Sequence, residues 1–211
     1  MARVRLTRDT VLDAVIRLMR DTDKPVTLQR LGRELGVDAT AFYRHFRDKD
    51  ELVRAAGDRM LADVMRGLPG GRRPRASIVE ICVRLRAAHL RAPALAAAQR
   101  SGPPLTDAEF AITDGLLAAL RAAGLAAKPA ALGYHALIEL TVGSAALDAH
   151  LARLDRGART REYRRWRSVY ATLDPDEFPN AVALAPYLYA GTADDRFRDA
   201  LDRMLDGMNV G

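Results

Sequence analysis

Twenty residues, TLQRLGRELGVDATAFYRHF from Thr27 to Phe46, leave the backbone few choices. Thr27 is a good N-cap, so a short helix is predicted over Leu28 to Leu35. Gly36 then stands where a helix ends in a left-handed residue. One residue later Asp38 can cap another helix. Two helices separated by Leu35-Gly36-Val37 must cross at a steep angle, the spacing of a helix-turn-helix. Wound at 100° per residue, the second helix places Ala39, Phe42 and Phe46 on one arc, with Tyr43 at its edge. Thr40, Ala41, Arg44 and His45 fall on the other side. Leu31, Leu35, Val37 and Phe42 can pack internally, leaving that polar side free to enter a groove.

The flanking sequence is helical too, and no segment alternates as a strand does. Thr7 caps a first helix to about Arg20, with Val11, Leu12, Val15, Ile16 and Met19 as its stripe; DTDKPV breaks it. Another helix is predicted from Lys49 to Leu68, followed by the linker GLPGGRRPR. Beyond it helices are expected over Ala76 to Arg91, from Pro93 to near Arg100, and from Thr106 to Ala123 with Gly124 as C-cap. SGPPLT is a turn. Pro129 opens the most apolar helix, to about Leu154, which should be central and largely buried. Tyr163, Trp166, Tyr170 and Leu173 form one seam with arginines outside. DPDEFPN is a loop, ALAPYLYAG a proline-interrupted short helix, and Ala193 to Met208 closes the chain on a stripe of Phe197, Leu201, Met204, Leu205 and Met208. The fold class is all-α: a head over 1–68, a linker over 69–75 and a helical region over 76–211.

Charge separates the same regions. Residues 1–75 carry 17 Lys and Arg against 11 Asp and Glu, whereas 76–211 carry 16 of each. The net charge of +6 therefore lies in the first third, which predicts a polyanionic partner there, nucleic acid before membrane. An apolar content of 49% excludes a disordered chain. No apolar run reaches the ~18 residues of a membrane span, and MARVRLTRDT lacks the apolar stretch of a signal peptide. The lone Cys82 excludes an intrachain disulfide framework and a multi-cysteine metal site, which favours a reducing, cytoplasmic home. Four His without HxxxH or HExxH spacing give no metal prediction. Without GxGxxG, P-loop or GxSxG there is no predicted cofactor and no catalytic constellation.

In a helix-turn-helix the second helix enters the major groove of double-stranded DNA. Ala41 can contact a thymine methyl, Thr40 can hydrogen-bond, and Arg44 can reach guanine or phosphate. Tyr43 at the rim, with Thr27 and Lys49 at helix N-termini, can hold phosphates. The stretch TLQRLGRELGVDATAFYRHFRDKDEL resembles the DNA-binding segment of the TetR (tetracycline repressor) family, through a Tyr-x-His-Phe-x-x-Lys-x-x-Leu core at Tyr43, His45, Phe46, Lys49 and Leu52. That resemblance spans about 7–68. EFPNAVALAPYL and FRDALDRMLDGM resemble more weakly the tetracycline-repressor-type ligand domain. The family resemblance implies a homodimer with two DNA-binding heads, joined by a long helix to ligand-binding and dimerisation domains, and repression controlled by a small-molecule effector. It also implies base-reading roles for Gln29, Ala39, Thr40 and Ala41, and phosphate roles for Thr27, Tyr43, His45 and Lys49. Arg30 and Arg44 complete the candidate DNA-binding set. Ala39 and Ala41 depart from the longer polar groups common in relatives, so readout leans on Gln29, Thr40 and Arg44.

In the second region, polar residues inside apolar helices are the ligand-binding candidates: His89, Gln99, Tyr134, His135, Glu139 and Thr141. A buried Glu139 would have to be paired, interfacial or set to meet a ligand. The central helix and the last helix are expected to build the dimer interface. An enzyme using this pocket would have His135 and Glu139 as its acid/base pair, but no nucleophile accompanies them. A ligand-independent architectural DNA binder would have no use for so apolar a second region. For RTREYRRWR, Arg159 to Arg167, a solvated helix face is favoured over a second nucleic-acid site.

Overall fold

The computed structural model describes residues 6–20, 27–68, 73–99 and 106–211, without the side chains of 98 and 99. The expected turns DTDKPV and SGPPL, and most of the linker, lie outside these residues. The described residues are helical, with no strand. Helices α1 (Arg8–Arg20) and α2 (Leu28–Leu35), a 3-10 helix (Ala39–Arg44) and α3 (Lys49–Leu61) form the head. The rest comprises α4 (Pro74–Arg91), α5 (Pro93–Gln99), α6 (Asp107–Ala122), α7 (Ala127–Ala152), α8 (Arg156–Ala171), α9 (Pro179–Leu184) and α10 (Ala193–Gly207).

The head closes on Val11, Val15, Met19, Leu31, Phe42, Phe46 and Leu52, all buried. Its turn is built as the spacing predicts. Thr27 accepts the Arg30 N–H, Gly36 sits at φ 65°, and the Val37 N–H reaches back to the Gly32 carbonyl at 3.0 Å. Gly32 was not singled out from the sequence, yet a Cβ there would lie 2.7 Å from the Val37 carbonyl oxygen. Only a residue without a side chain lets the turn fold back so closely.

Two expectations for the head change. The segment after Asp38 is a 3-10 helix and not an α-helix. Six residues are too few for helix propensity to decide the winding, and a tighter single stretch suffices to reach the break at Arg47. The next helix stops at Leu61, short of Leu68. Beyond it the bonds tighten to Val64 N–H on Leu61 and Leu68 N–H on Met65, and Gly67 turns the chain at φ 65°.

In the second region α4 packs along α7 and α6, and α10 lies against α7. Pro74 occupies the first helical position, so α4 begins two residues earlier than predicted. Pro129 is the third residue of α7, still within the turn whose N–H groups have no helical partner. Thr106 and Glu109 form the reciprocal capping box of α6, and Gly124 follows its end at φ 96°. The aromatic seam forms: Trp166 lies edge-on to Tyr163, and both meet Tyr189. Of its arginines, Arg159 caps the last carbonyls of α7 and Arg167 reaches the Tyr189 carbonyl, while Arg161, Arg164 and Arg165 face outward.

The expectation for α7 is corrected. Only Ala130, Gly133, Leu137, Thr141, Ala145 and Leu151 are buried, while Leu132 is 60% and Leu147 83% exposed. By length and composition alone α7 is apolar enough to cross a membrane. One stripe of α7 is core, and the opposite stripe stays exposed among the described residues.

Candidate DNA interface and regulatory cavity

All ten DNA-binding candidates reach the surface of the head. Thr27, Gln29, Thr40, Tyr43, Arg44 and Lys49 are exposed, and Arg30, Ala39, Ala41 and His45 are half-buried. The 3-10 winding sharpens the face. At three residues per turn Tyr43 stacks beneath Thr40 and Arg44 beneath Ala41, so Tyr43 belongs to the outer face and not to the edge of the buried one. Its 57% exposure agrees, against 1% for Phe42.

Local hydrogen bonds hold this surface still. The Asp38 carboxylate accepts the Thr40 N–H at 2.8 Å and the Thr40 hydroxyl at 2.6 Å, which together hold its pKa below the usual carboxylate range. The Thr40 hydroxyl proton is thereby committed, so towards a base edge this oxygen is an acceptor. Asp48 caps α3 at the Glu51 N–H (2.7 Å), and Glu51 returns to the Arg47 N–H (2.8 Å). These backbone bonds are the main cause lowering the pKa of each carboxylate.

Arg8 was missed in the sequence. It donates to the His45 carbonyl at 2.8 Å, pairs with Glu51 at 3.3 Å, and lies over the Phe46 ring at 4.5 Å. It thus ties the start of α1 to the end of the recognition segment. Nothing in local spacing could reveal it, because its partners lie 37 and 43 residues away.

The five ligand candidates whose side chains are described do not converge on one cavity. His89 lines a cavity of only about 40 Å³ with Pro93, Ala96 and Val142. The Tyr134 hydroxyl meets that of Thr113 at 2.9 Å, between α7 and α6. Thr141 is fully buried beside Cys82; burial pushes that thiol up to about 11, with the Thr141 hydroxyl pulling the other way. His135 and Glu139 are exposed on the outer stripe of α7, so Glu139 is not the buried carboxylate the apolar sequence suggested. The Gln99 side chain lies outside the described residues.

A larger cavity of about 280 Å³ opens between α4, the end of α7 and the start of α10. Beside it is Arg86, a buried guanidinium that sequence reading passed over. Arg86 donates to Asp148 (2.6 Å), to Asp194 and to Ser144 (3.2 Å), and lies over the Phe197 ring at 5.0 Å. The available signal was its place in the stripe Ile78, Cys82, Arg86, at core spacing in an apolar helix.

Two family models match the chain. The bacterial regulatory proteins of the tetR family match over 11–56, and the tetracyclin repressor-like C-terminal domain over 71–211. The chain belongs to the TetR family. As a TetR-family protein it is a DNA-binding transcriptional regulator, and the helix-turn-helix is its DNA-binding element. Solved structures agree along almost the whole length. A putative transcriptional regulator from Streptomyces coelicolor A3(2) is 26% identical, covers 97% of this chain and 98% of its own, and superposes with a TM-score of 0.73. The S. coelicolor TetR family protein ActR in complex with actinorhodin shares the fold at 23% identity, 97% coverage of each chain and a TM-score of 0.81. A TetR variant from Acinetobacter baumannii AYE in complex with minocycline does so at 23% identity, 96% coverage of each chain and a TM-score of 0.66. No curated protein matches the sequence.

Proposed function

We propose that this TetR-family regulator is a homodimeric repressor that leaves a palindromic operator when a small molecule binds the region after residue 68. The observation that carries the DNA half is the exposed ring of Thr27, Gln29, Thr40, Tyr43, Arg44 and Lys49 on a head whose turn and caps are fixed by short hydrogen bonds. Gln29, Thr40, Ala41 and Arg44 face the bases, with Ala39 at their edge. Thr27, Arg30, Tyr43, His45 and Lys49 grip phosphates, which position the head without specifying sequence.

The effector half is supported by ligand-bound relatives of the same fold and by contacts from the head into the second region. Asp58 of α3 accepts the Ala108 N–H at the start of α6 (2.9 Å), and Arg84 of α4 holds the Arg66 carbonyl (2.8 Å). A ligand that favours one arrangement of α4 and α6 therefore biases where α3 carries the head. It releases DNA only insofar as it binds the released arrangement more tightly.

The dimer rests on α7, whose outer stripe exposes Leu132 and Leu147 on either side of His135 and Glu139; α10 turns charged residues outward, so its share of the interface is polar. Leu147→Glu is expected to weaken dimerisation at least about tenfold, read by sedimentation, since a charge cannot be buried there unpaired. A location in the cytoplasm, with its DNA, completes the reading. The test of function is selection from random duplexes: enrichment of one palindrome is expected, whereas random or non-palindromic survivors contradict a symmetric operator reader.

A further inference from the structure

We propose that the cavity between α4, α7 and α10 is a site for a small amphipathic carboxylate, which takes the place of Asp194 on Arg86. The inference rests on the effector reading above and gives that effector a chemical class.

The cavity has an apolar floor and a cationic mouth. Val83, Leu90 and Phe197 supply carbon surface; Arg86, Arg91 and Arg198 bring three guanidinium groups against two carboxylates, Asp194 in the lining and Asp148 behind Arg86. Arg91 and Arg198 make no ion pair among the described residues. An anion is therefore favoured over a cation. The volume of about 280 Å³ lies just below the usual ~300–1,000 Å³ for small-molecule sites, which limits the apolar body to one ring or a short acyl chain.

The two carboxylates on Arg86 are not equivalent. The Arg86 side chain is 4% exposed and that of Asp148 18%, so this pair belongs to the interior. Asp194 is 73% exposed, in the first turn of α10, and can return to water at little cost. A ligand carboxylate replacing it keeps Arg86 paired while its apolar end covers Phe197. What changes is α10. Arg75 ties its far end to α4 through Asp202 (2.9 Å), Asp206 (2.7 Å) and the Val210 carbonyl (2.9 Å), while Arg86 and Asp194 tie the near end. Displacing Asp194 removes the near end's tie to α4 and leaves it Arg196 on the Tyr163 hydroxyl (2.8 Å) and the packing of Phe197, so α10 can shift at that end about the fixed Arg75 contacts.

Calorimetric titration of the purified full chain, without DNA, tests this with 4-phenylbutyrate, its neutral amide 4-phenylbutyramide and the cation 4-phenylbutylamine. The carboxylate should bind at least about tenfold more tightly than either analogue, as charge-assisted pairing requires. Arg91→Gln with Arg198→Gln, both at the exposed mouth, should weaken it about tenfold, and Asp194→Asn should tighten it by removing the internal competitor. Equal binding of the amide, no binding of the carboxylate, or weaker binding to Asp194→Asn would each overturn the proposal. No DNA enters the measurement, so its failure leaves operator recognition standing, and failure of operator selection leaves this result intact.

Discussion

In the helix-turn-helix of the head, the side chains that set the turn and the helix starts reach two or three residues: Thr27 to Arg30, Asp38 to Thr40, Asp48 to Glu51, with exposed Arg8 adding a tie to α1 from 37 residues away. In the regulatory half Arg86 reaches 58, 62 and 108 residues along the chain, and Arg75 reaches 127 and 131. The DNA-reading segment is fixed mainly by caps and a turn and its arginine ties are exposed, whereas the second half is strapped by the buried Arg86 and the half-buried Arg75. The difference suits the two tasks. A DNA-reading face must arrive preformed, whereas a sensor needs ties that another charged group can replace.

Arg86→Met should break the contrast hardest, because it leaves Asp148 in a largely buried site without its cation. A loss of about 3 kcal/mol in chemical denaturation is expected. A loss within error would mean the strap carries no stability. Gly32→Ala tests the local side. Although alanine is the better helix former, its Cβ would meet the Val37 carbonyl oxygen at 2.7 Å, and the turn must open. We expect about 1–3 kcal/mol and weakened DNA binding, read by thermal melting and fluorescence anisotropy. Thr27→Ala removes a single exposed cap and should cost only about 1 kcal/mol in the same melt. If it cost as much as Arg86→Met, the division into local and long-range support would fail.

The same division explains what the sequence made legible. The helix-turn-helix, its caps at Thr27 and Asp38 and the C-cap at Gly36 could all be read, because each is specified within a few residues. The winding after Asp38 could not, since 3-10 and α-helix share the same cap and nearly the same apolar spacing over six residues. Arg8 and Arg86 stayed hidden because the groups that explain them are far along the chain. Glu139 misled for a related reason. Composition marks α7 as apolar all round, but only packing against α4 and α6 decides which stripe is core and which waits for a partner.

DNA recognition by this protein depends on the docking face of the head, and operator affinity measured against salt concentration tests that face most directly. Wild type should lose affinity linearly on a log–log plot, with a slope set by the phosphates it neutralises. Tyr43→Ala combined with Lys49→Ala should lower affinity about tenfold or more at moderate salt and reduce that slope by about 1, because one cationic phosphate contact is gone. Affinity and slope both unchanged in the double variant would place the DNA elsewhere on the molecule and contradict the assignment of this face.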